Sequence, residues 1–154
     1  MTVTTLGYLI QNNCYLMLHR TKKANDPNEG KWIGIGGHVE PGETPDECMI
    51  REAKEETGFS LHSLRLRGIV TFLSDQWEDE IMFIYTSDKF SGELIECNEG
   101  DLKFVPKEKV LDLPTWEGDR IFLKLLWEDA PFFTLKLKYR GDVLVETALD
   151  RSPT

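Results

Sequence analysis

Residues 36–59 read GGHVEPGETPDECMIREAKEETGF, and this stretch decides the fold. A glycine-rich loop runs into a helix whose start and stop are both written in the chain. Thr44 suits the N-cap, Pro45 sits at the first helical position where its missing N–H costs nothing, and Glu47 completes a capping box. Gly58 suits the left-handed position beyond the last turn, so a helix is expected from Pro45 to about Thr57. At about 100° per residue, Met49, Ile50 and Ala53 form an apolar flank, Glu52 and Glu56 share the neighbouring face, and Glu55 lies at its edge. Partly buried carboxylates this close repel one another and resist ionisation. Either water solvates them or hard divalent cations bind them. An oxygen-only donor set suits Mg²⁺ or Mn²⁺, and Mg²⁺ commonly combines a few carboxylates with substrate phosphates. Such an ion polarises phosphoryl oxygens and makes a nucleophile of water.

Upstream, Thr2–Ile10 and Cys14–His19 read as strands around a turn at Gln11-Asn12-Asn13. Residues 20–31 (RTKKANDPNEGK) make a polar loop holding the densest basic cluster, Arg20, Lys22, Lys23 and Lys31. It reads as a solvated loop or as a rim facing phosphates. Residues 31–37 (KWIGIGG) read as a short strand breaking into a loop, its backbone available as a ligand.

Downstream, Leu64–Ser74 and Glu80–Ser87 read as strands separated by an acidic loop. A turn follows at Ser91-Gly92-Glu93, and Glu96 and Glu99 precede a short strand, Leu102–Val105. Ile121, Phe122, Leu125 and Leu126 mark an amphipathic helix. Phe132–Tyr139 and Val143–Leu149 form a closing hairpin, with Arg140-Gly141-Asp142 as its turn chemistry. No repeat or linker interrupts this, so one mixed α/β domain over residues 1–154 is expected.

At 154 residues the chain can bury a real core, and 40% hydrophobic with 29% charged residues is the composition of a soluble globular protein. No stretch is apolar for long enough to span a bilayer and no signal peptide is read, which places the protein in the cytoplasm without a membrane partner. Cys14, Cys48 and Cys97 are odd in number with no CxxC pair, and read as reduced thiols rather than a zinc site or disulfide. The net charge of −9 argues against long nucleic acid, whose binding relies on Lys and Arg neutralising phosphates. A small anionic substrate remains, brought in by metal ions or by a local basic cluster.

Gly37, Glu43 and the run Arg51-Glu52-Ala53-Lys54-Glu55-Glu56-Thr57-Gly58-Phe59 match nine positions of the Nudix box across 23 residues. The chain therefore resembles the Nudix hydrolases. That resemblance implies an α/β/α sandwich with a mixed sheet and the Nudix loop–helix. It implies Glu52 and Glu56 as ligands of Mg²⁺ (or Mn²⁺), Glu55 as ligand or base, and the Gly37 carbonyl as a further donor. Glu43 and Arg51 are similar to the family pair that braces the loop against the helix. An arginine fork on a carboxylate supports that reading, with a phosphate contact as the alternative for Arg51. A further acidic ligand is expected downstream, at Glu99 or Glu96, with Glu99 preferred.

Residues 114–122 (PTWEGDRIF), together with 31–37 and Pro131-Phe132-Phe133, are similar to the MutT/MutX-type branch that sanitises oxidised purine nucleotides. The resemblance implies Trp116 stacking on a base and Asp119 reading its edge, with Lys22 and Ile33 also facing substrate. One position departs from the branch: an Asn that contacts the base is here Ile33. The implied activity is Mg²⁺-dependent pyrophosphohydrolysis of nucleoside triphosphates, 8-oxo-dGTP being favoured, to monophosphate and pyrophosphate, by a monomer or homodimer. The alternatives are a Nudix enzyme for ADP-ribose or dinucleoside polyphosphates, and a nucleotide-binding sensor without turnover.

Overall fold

The capping residues set both ends of the central helix, α1 (Pro45–Thr57), in the computed structural model, which describes residues 1–22 and 25–151. Lys23 of the basic cluster lies outside the described residues. The Thr44 hydroxyl accepts the Glu47 N–H at 3.1 Å, and the Glu47 carboxylate accepts the Thr44 N–H at 3.0 Å. Gly58 ends the helix at φ +86°, its N–H donating to the Lys54 carbonyl at 3.0 Å. α1 seats on the first strand, β1 (Thr2–Gln11), where the Met49 thioether fills the space above Gly7.

β2 (Cys14–Arg20) follows a two-residue turn in which Asn12 and Asn13 both take positive φ, as such hairpin turns require. β3 (Trp32–Ile33) is short; beyond it Ile35 and His38 touch Gly7 and Thr4 of β1 as isolated bridges. The chain is pressed so closely there that a Cβ on Gly36 would stand 1.9 Å from the Thr5 carbonyl oxygen. After α1 come β4 (Ser60–Leu61), β5 (Arg65–Ser74), β6 (Glu80–Ser87), β7 (Phe90–Ser91) and β8 (Gly100–Pro106). A 3₁₀ segment (Lys107–Asp112), α2 (Asp119–Trp127) and the hairpin β9 (Phe133–Arg140) and β10 (Val143–Arg151) complete the order.

The main sheet runs β10-β9-β5-β6-β1-β2-β3, with β8 also paired to β2. β1–β6 and β5–β9 are parallel and the remaining pairs antiparallel, which makes the sheet mixed. Side chains alternate between its faces. Tyr8, Tyr15 and Met17 join Phe122, Leu125 and Leu126 of α2 in one core, while Leu9, Leu16 and Leu18 join Met49 and Ala53 of α1 in the other. A helix on each face gives the expected α/β/α sandwich. The β4–β7 ribbon and the 3₁₀ segment are absent from the sequence reading, because elements of two to six residues carry no readable period. All three cysteines are free thiols, and no helix of the described residues is long and apolar enough to cross a membrane.

The two caps of α1 differ in what replaces them. Thr44→Ala removes one cap bond and should cost about 1 kcal/mol. Gly58→Ala should cost more, because an alanine there takes an unfavourable φ and its Cβ would stand 2.3 Å from the Glu93 carbonyl oxygen. Urea unfolding of both variants checks this ranking.

Candidate active site

α1 carries its acidic face against the loop at Gly36 and Gly37, and that contact begins one end of a cleft of about 470 Å³. Glu56 is buried, and its Oε2 accepts the Gly36 N–H at 3.1 Å. Burial first, then the charges of Glu52 and Glu99, push its pKa up to about 9. The Glu52 carboxylate lies over Gly37, where a Cβ would come within 2.6 Å of it; burial raises its pKa, with Arg51 opposing. Glu99 enters from just before β8 and is held at 3.0 Å by Arg20, from the end of β2. All four line the cleft.

Arg51 ties loop to helix. It forks Glu43 at 2.7 and 3.0 Å, and reaches Glu52 at 2.7 Å, Glu55 at 3.2 Å and the His38 carbonyl at 3.2 Å. Its hydrogen bonds hold the Glu43 carboxyl down at about 2. Glu55 is largely exposed and turned to Arg51 rather than into the cleft.

The carbonyl of Gly37 accepts the Thr5 N–H at 2.9 Å, so it faces β1. Gly36 lies against the carboxylates, its N–H meeting Glu56. Lys22 donates to the Cys97 carbonyl at 3.0 Å and pairs with Glu96 at 3.8 Å; neither Lys22 nor Glu96 lines the cleft. Of the two downstream acids, Glu99 is the one brought to the cleft.

At the other end, Ile33, Phe72, Trp77, Met82, Trp116 and Asp119 line the same cleft. Trp116 packs edge-on against Phe72 and Tyr139, at centroid separations of 5.5 and 4.9 Å, and Lys31 Nζ stands 4.5 Å from its ring centroid. Its indole N–H donates to Asn28 Oδ1 at 2.7 Å. Asp119 opens α2 in a buried position, which pushes its pKa up to about 7 while Lys31 opposes the shift.

The sequence reading left Arg20, Asp26 and Asn28 inside a polar loop. Arg20 is in fact buried, pairing with Asp26 at 2.8 Å and with Glu99. A hydrophilic segment punctuated by Pro and Gly gives no sign that it folds inward. Phe72 and Met82 follow strand alternation and are indistinguishable in sequence from core residues.

The donor set suits a hard cation: it is all oxygen, and Glu56 is a buried carboxyl whose acidic neighbours disfavour its charge. Among the described residues no three acidic, His or Cys side chains are gathered tightly enough to hold an ion in these rotamers. The reason is visible, since Glu52, Glu56 and Glu99 are each held by a different donor, Arg51, Gly36 and Arg20.

Residues 2–126 match the NUDIX domain family. The chain belongs to the Nudix family. This Nudix chain is 32% identical over 124 residues to an oxidized purine nucleoside triphosphate hydrolase from Danio rerio, covering 79% of this chain and 78% of that protein. It is 34% identical over 125 residues to an ADP-ribose pyrophosphatase from Methanocaldococcus jannaschii, covering 73% and 72%. It is 32% identical over 98 residues to an uncharacterized Nudix hydrolase of Bacillus subtilis, 60% of this chain, and spans 62% of that protein. A crystal structure of the mutator MutT protein from Bacillus halodurans superposes with a TM-score of 0.88 at 26% identity, covering 99% of this chain and all of that one.

Glu56 makes the metal-free protein sensitive to alkali. Between its ordinary pKa of 4.5 and about 9, the folded state keeps a proton that the unfolded state has released, so this group's contribution to stability falls as pH rises through that window. Glu56→Gln should flatten the decline and melt higher than the parent at pH 8, measured by thermal unfolding in chelator.

Proposed function

We propose that this Nudix hydrolase cleaves purine nucleoside triphosphates, 8-oxo-dGTP foremost, to the monophosphate and pyrophosphate through one domain over residues 1–154. The carrying observation is that a single cleft joins the crowded carboxylates at one end to Trp116 and Asp119 at the other. A triphosphate and a base are the two ends of one molecule that such a cleft accommodates.

Mg²⁺, or Mn²⁺ in its place, would be held by Glu52, Glu56 and Glu99, with Glu55 as a further ligand or the base. Gly36 replaces Gly37 as the carbonyl donor, because the Gly37 oxygen is taken by Thr5. When bound, the metal polarises the phosphoryl oxygens and acidifies the attacking water. Glu52 or Glu55 takes that water's proton. Arg51 fixes the loop and holds both glutamates, and Arg20 holds Glu99 against the cleft wall. Trp116 stacks the base, and Asp119 reads its edge. Ile33 lines the wall as an apolar contact, and Lys22 stands outside the cleft lining, paired with Glu96.

The Methanocaldococcus jannaschii relative favours a second reading, ADP-ribose hydrolysis. A sensor without turnover is the weaker alternative, since the box carboxylates that such a domain can dispense with are retained. Incubation with Mg²⁺ and 8-oxo-dGTP, dGTP, ADP-ribose or diadenosine polyphosphates separates the three. Pyrophosphate release from the purine triphosphates is expected; cleavage of ADP-ribose alone would sink the proposal, and no product from any would favour the sensor. Glu55→Gln and Glu56→Gln should each lower turnover by roughly 10²- to 10⁴-fold while staying cooperatively folded at the assay temperature, and parental rates would overturn the mechanism.

Asp119 adds a pH signature. Above about 7 its carboxylate accepts from the N–H donors of a guanine-type edge, and below it the neutral acid loses acceptor capacity. KM for such substrates should therefore fall as pH rises through 7, and Asp119→Asn should remove that dependence.

A further inference from the structure

We propose that Asn28 is an additional base-reading residue, its side-chain amide N–H groups donating to a carbonyl oxygen of the bound purine. The inference rests on the triphosphate reading above and adds to it a specificity-determining residue in the loop between β2 and β3.

Three observations lead there. Asn28 lines the cleft beside Trp116 and Asp119. Its orientation is determined, because the indole N–H of Trp116 can only donate and meets Asn28 Oδ1 at 2.7 Å. The amide nitrogen must then point away from Trp116. The rest of the residue is already committed: its backbone N–H donates to Asp26 Oδ1 at 3.2 Å, and its carbonyl accepts the Lys31 N–H at 2.9 Å. Among the described residues the amide NH₂ is the one polar group of Asn28 with no recorded partner.

The loop that presents it is braced. Asp26 is buried, taking the Asn28 N–H on one oxygen and Arg20 on the other at 2.8 Å. A preorganised donor loses little freedom when it binds, which is the condition under which one hydrogen bond discriminates among ligands. Ile33, the wall residue facing the same cleft, has no polar group to do this. A site with Asn28 donating and Asp119 accepting is complementary to a base that presents a carbonyl acceptor near an N–H donor, as oxopurines do.

The test crosses protein and ligand changes. Parent, Asn28→Ala and Asn28→Asp are assayed for kcat and KM on the triphosphates of 8-oxoguanine, guanine and 2-aminopurine, the last lacking the carbonyl at position 6. Asn28→Asp keeps the acceptor for Trp116 while replacing the donor with a charge. The parent should prefer the carbonyl-bearing bases by about tenfold or more in kcat/KM. Asn28→Ala should cut that preference by about threefold or more, leaving the part that Asp119 contributes through the N1–H that 2-aminopurine also lacks, and Asn28→Asp should raise KM for the oxopurines at least as much, with a smaller change in kcat. Each preference is a ratio of kcat/KM values within one variant, so a partial loss of folded protein cancels and does not decide the matter. Parent-like base ranking in both variants, or no preference in the parent, overturns this inference while leaving the function standing. Failure of the parent to cleave any purine triphosphate removes both.

Discussion

One guanidinium stands between the glycine loop and a helix face that would otherwise repel itself. Arg51 reaches Glu43, Glu52 and Glu55 by hydrogen bonds, and Glu40 at 3.8 Å. Exposed ion pairs contribute little to stability, and the contacts with Glu55 and Glu40 are of that kind. The forked contact with Glu43 differs, because it is bidentate and fixes geometry. It closes the loop over the first turns of α1 and so settles where Gly36 and Gly37 lie relative to Glu56 and Glu52. Glu56 lies beyond this arrangement. Among the described residues no cation pairs with it; it takes the Gly36 N–H and shares a hydrogen bond with Glu99, and burial beside the Glu52 and Glu99 charges disfavours its own.

That local problem is connected to the far end of the cleft through hydrogen bonds. Glu99 is held by Arg20, Arg20 by Asp26, Asp26 accepts the Asn28 N–H, and Asn28 accepts the indole N–H of Trp116. Buried ion pairs are weak evidence for stability but costly to break one partner at a time. Their worth here is geometric: a loop with little apolar content is pulled inward and made a wall common to both ends. The strands β1 and β2 supply the floor, with Leu6 and Thr5 of β1 and Arg20 of β2 facing the same space.

The fold and the acidic half of the site were legible because both obey short-range rules. Thr44, Pro45, Glu47 and Gly58 mark the helix within one turn of each end, and helical spacing puts Glu52 and Glu56 on one face. Strand alternation in β1 and β2 separates the two cores. The direction of a backbone carbonyl was not legible at Gly37, since it depends on the bridge to Thr5, which lies 32 positions earlier. Lys22 shows a related limit: its contacts with the Cys97 carbonyl and Glu96 lie 75 and 74 positions away and leave no mark in its own loop. Asn28 and Arg20 were hidden because inward folding of the loop is decided by contacts with Glu99 and Trp116, 79 and 88 positions away.

The electrostatics of the cleft then bear on how an anionic substrate enters. The chain carries a net charge of −9, and the one arginine lining the cleft, Arg20, is already shared between Asp26 and Glu99. On the triphosphate reading, a substrate approaching the bare protein would meet Glu52, Glu56 and Glu99 with no unpaired guanidinium among the lining residues to receive it. Attraction would then come from cations that bind with it or before it, displacing the proton that burial favours on Glu56. Metal, proton and phosphate would thereby be linked at one end. The opposite wall, lined by Trp116, Ile33 and Met82, offers apolar contact that does not depend on that exchange. On the triphosphate reading, phosphate affinity would be conditional on metal, while discrimination among bases would rest on walls that the fold sets in advance.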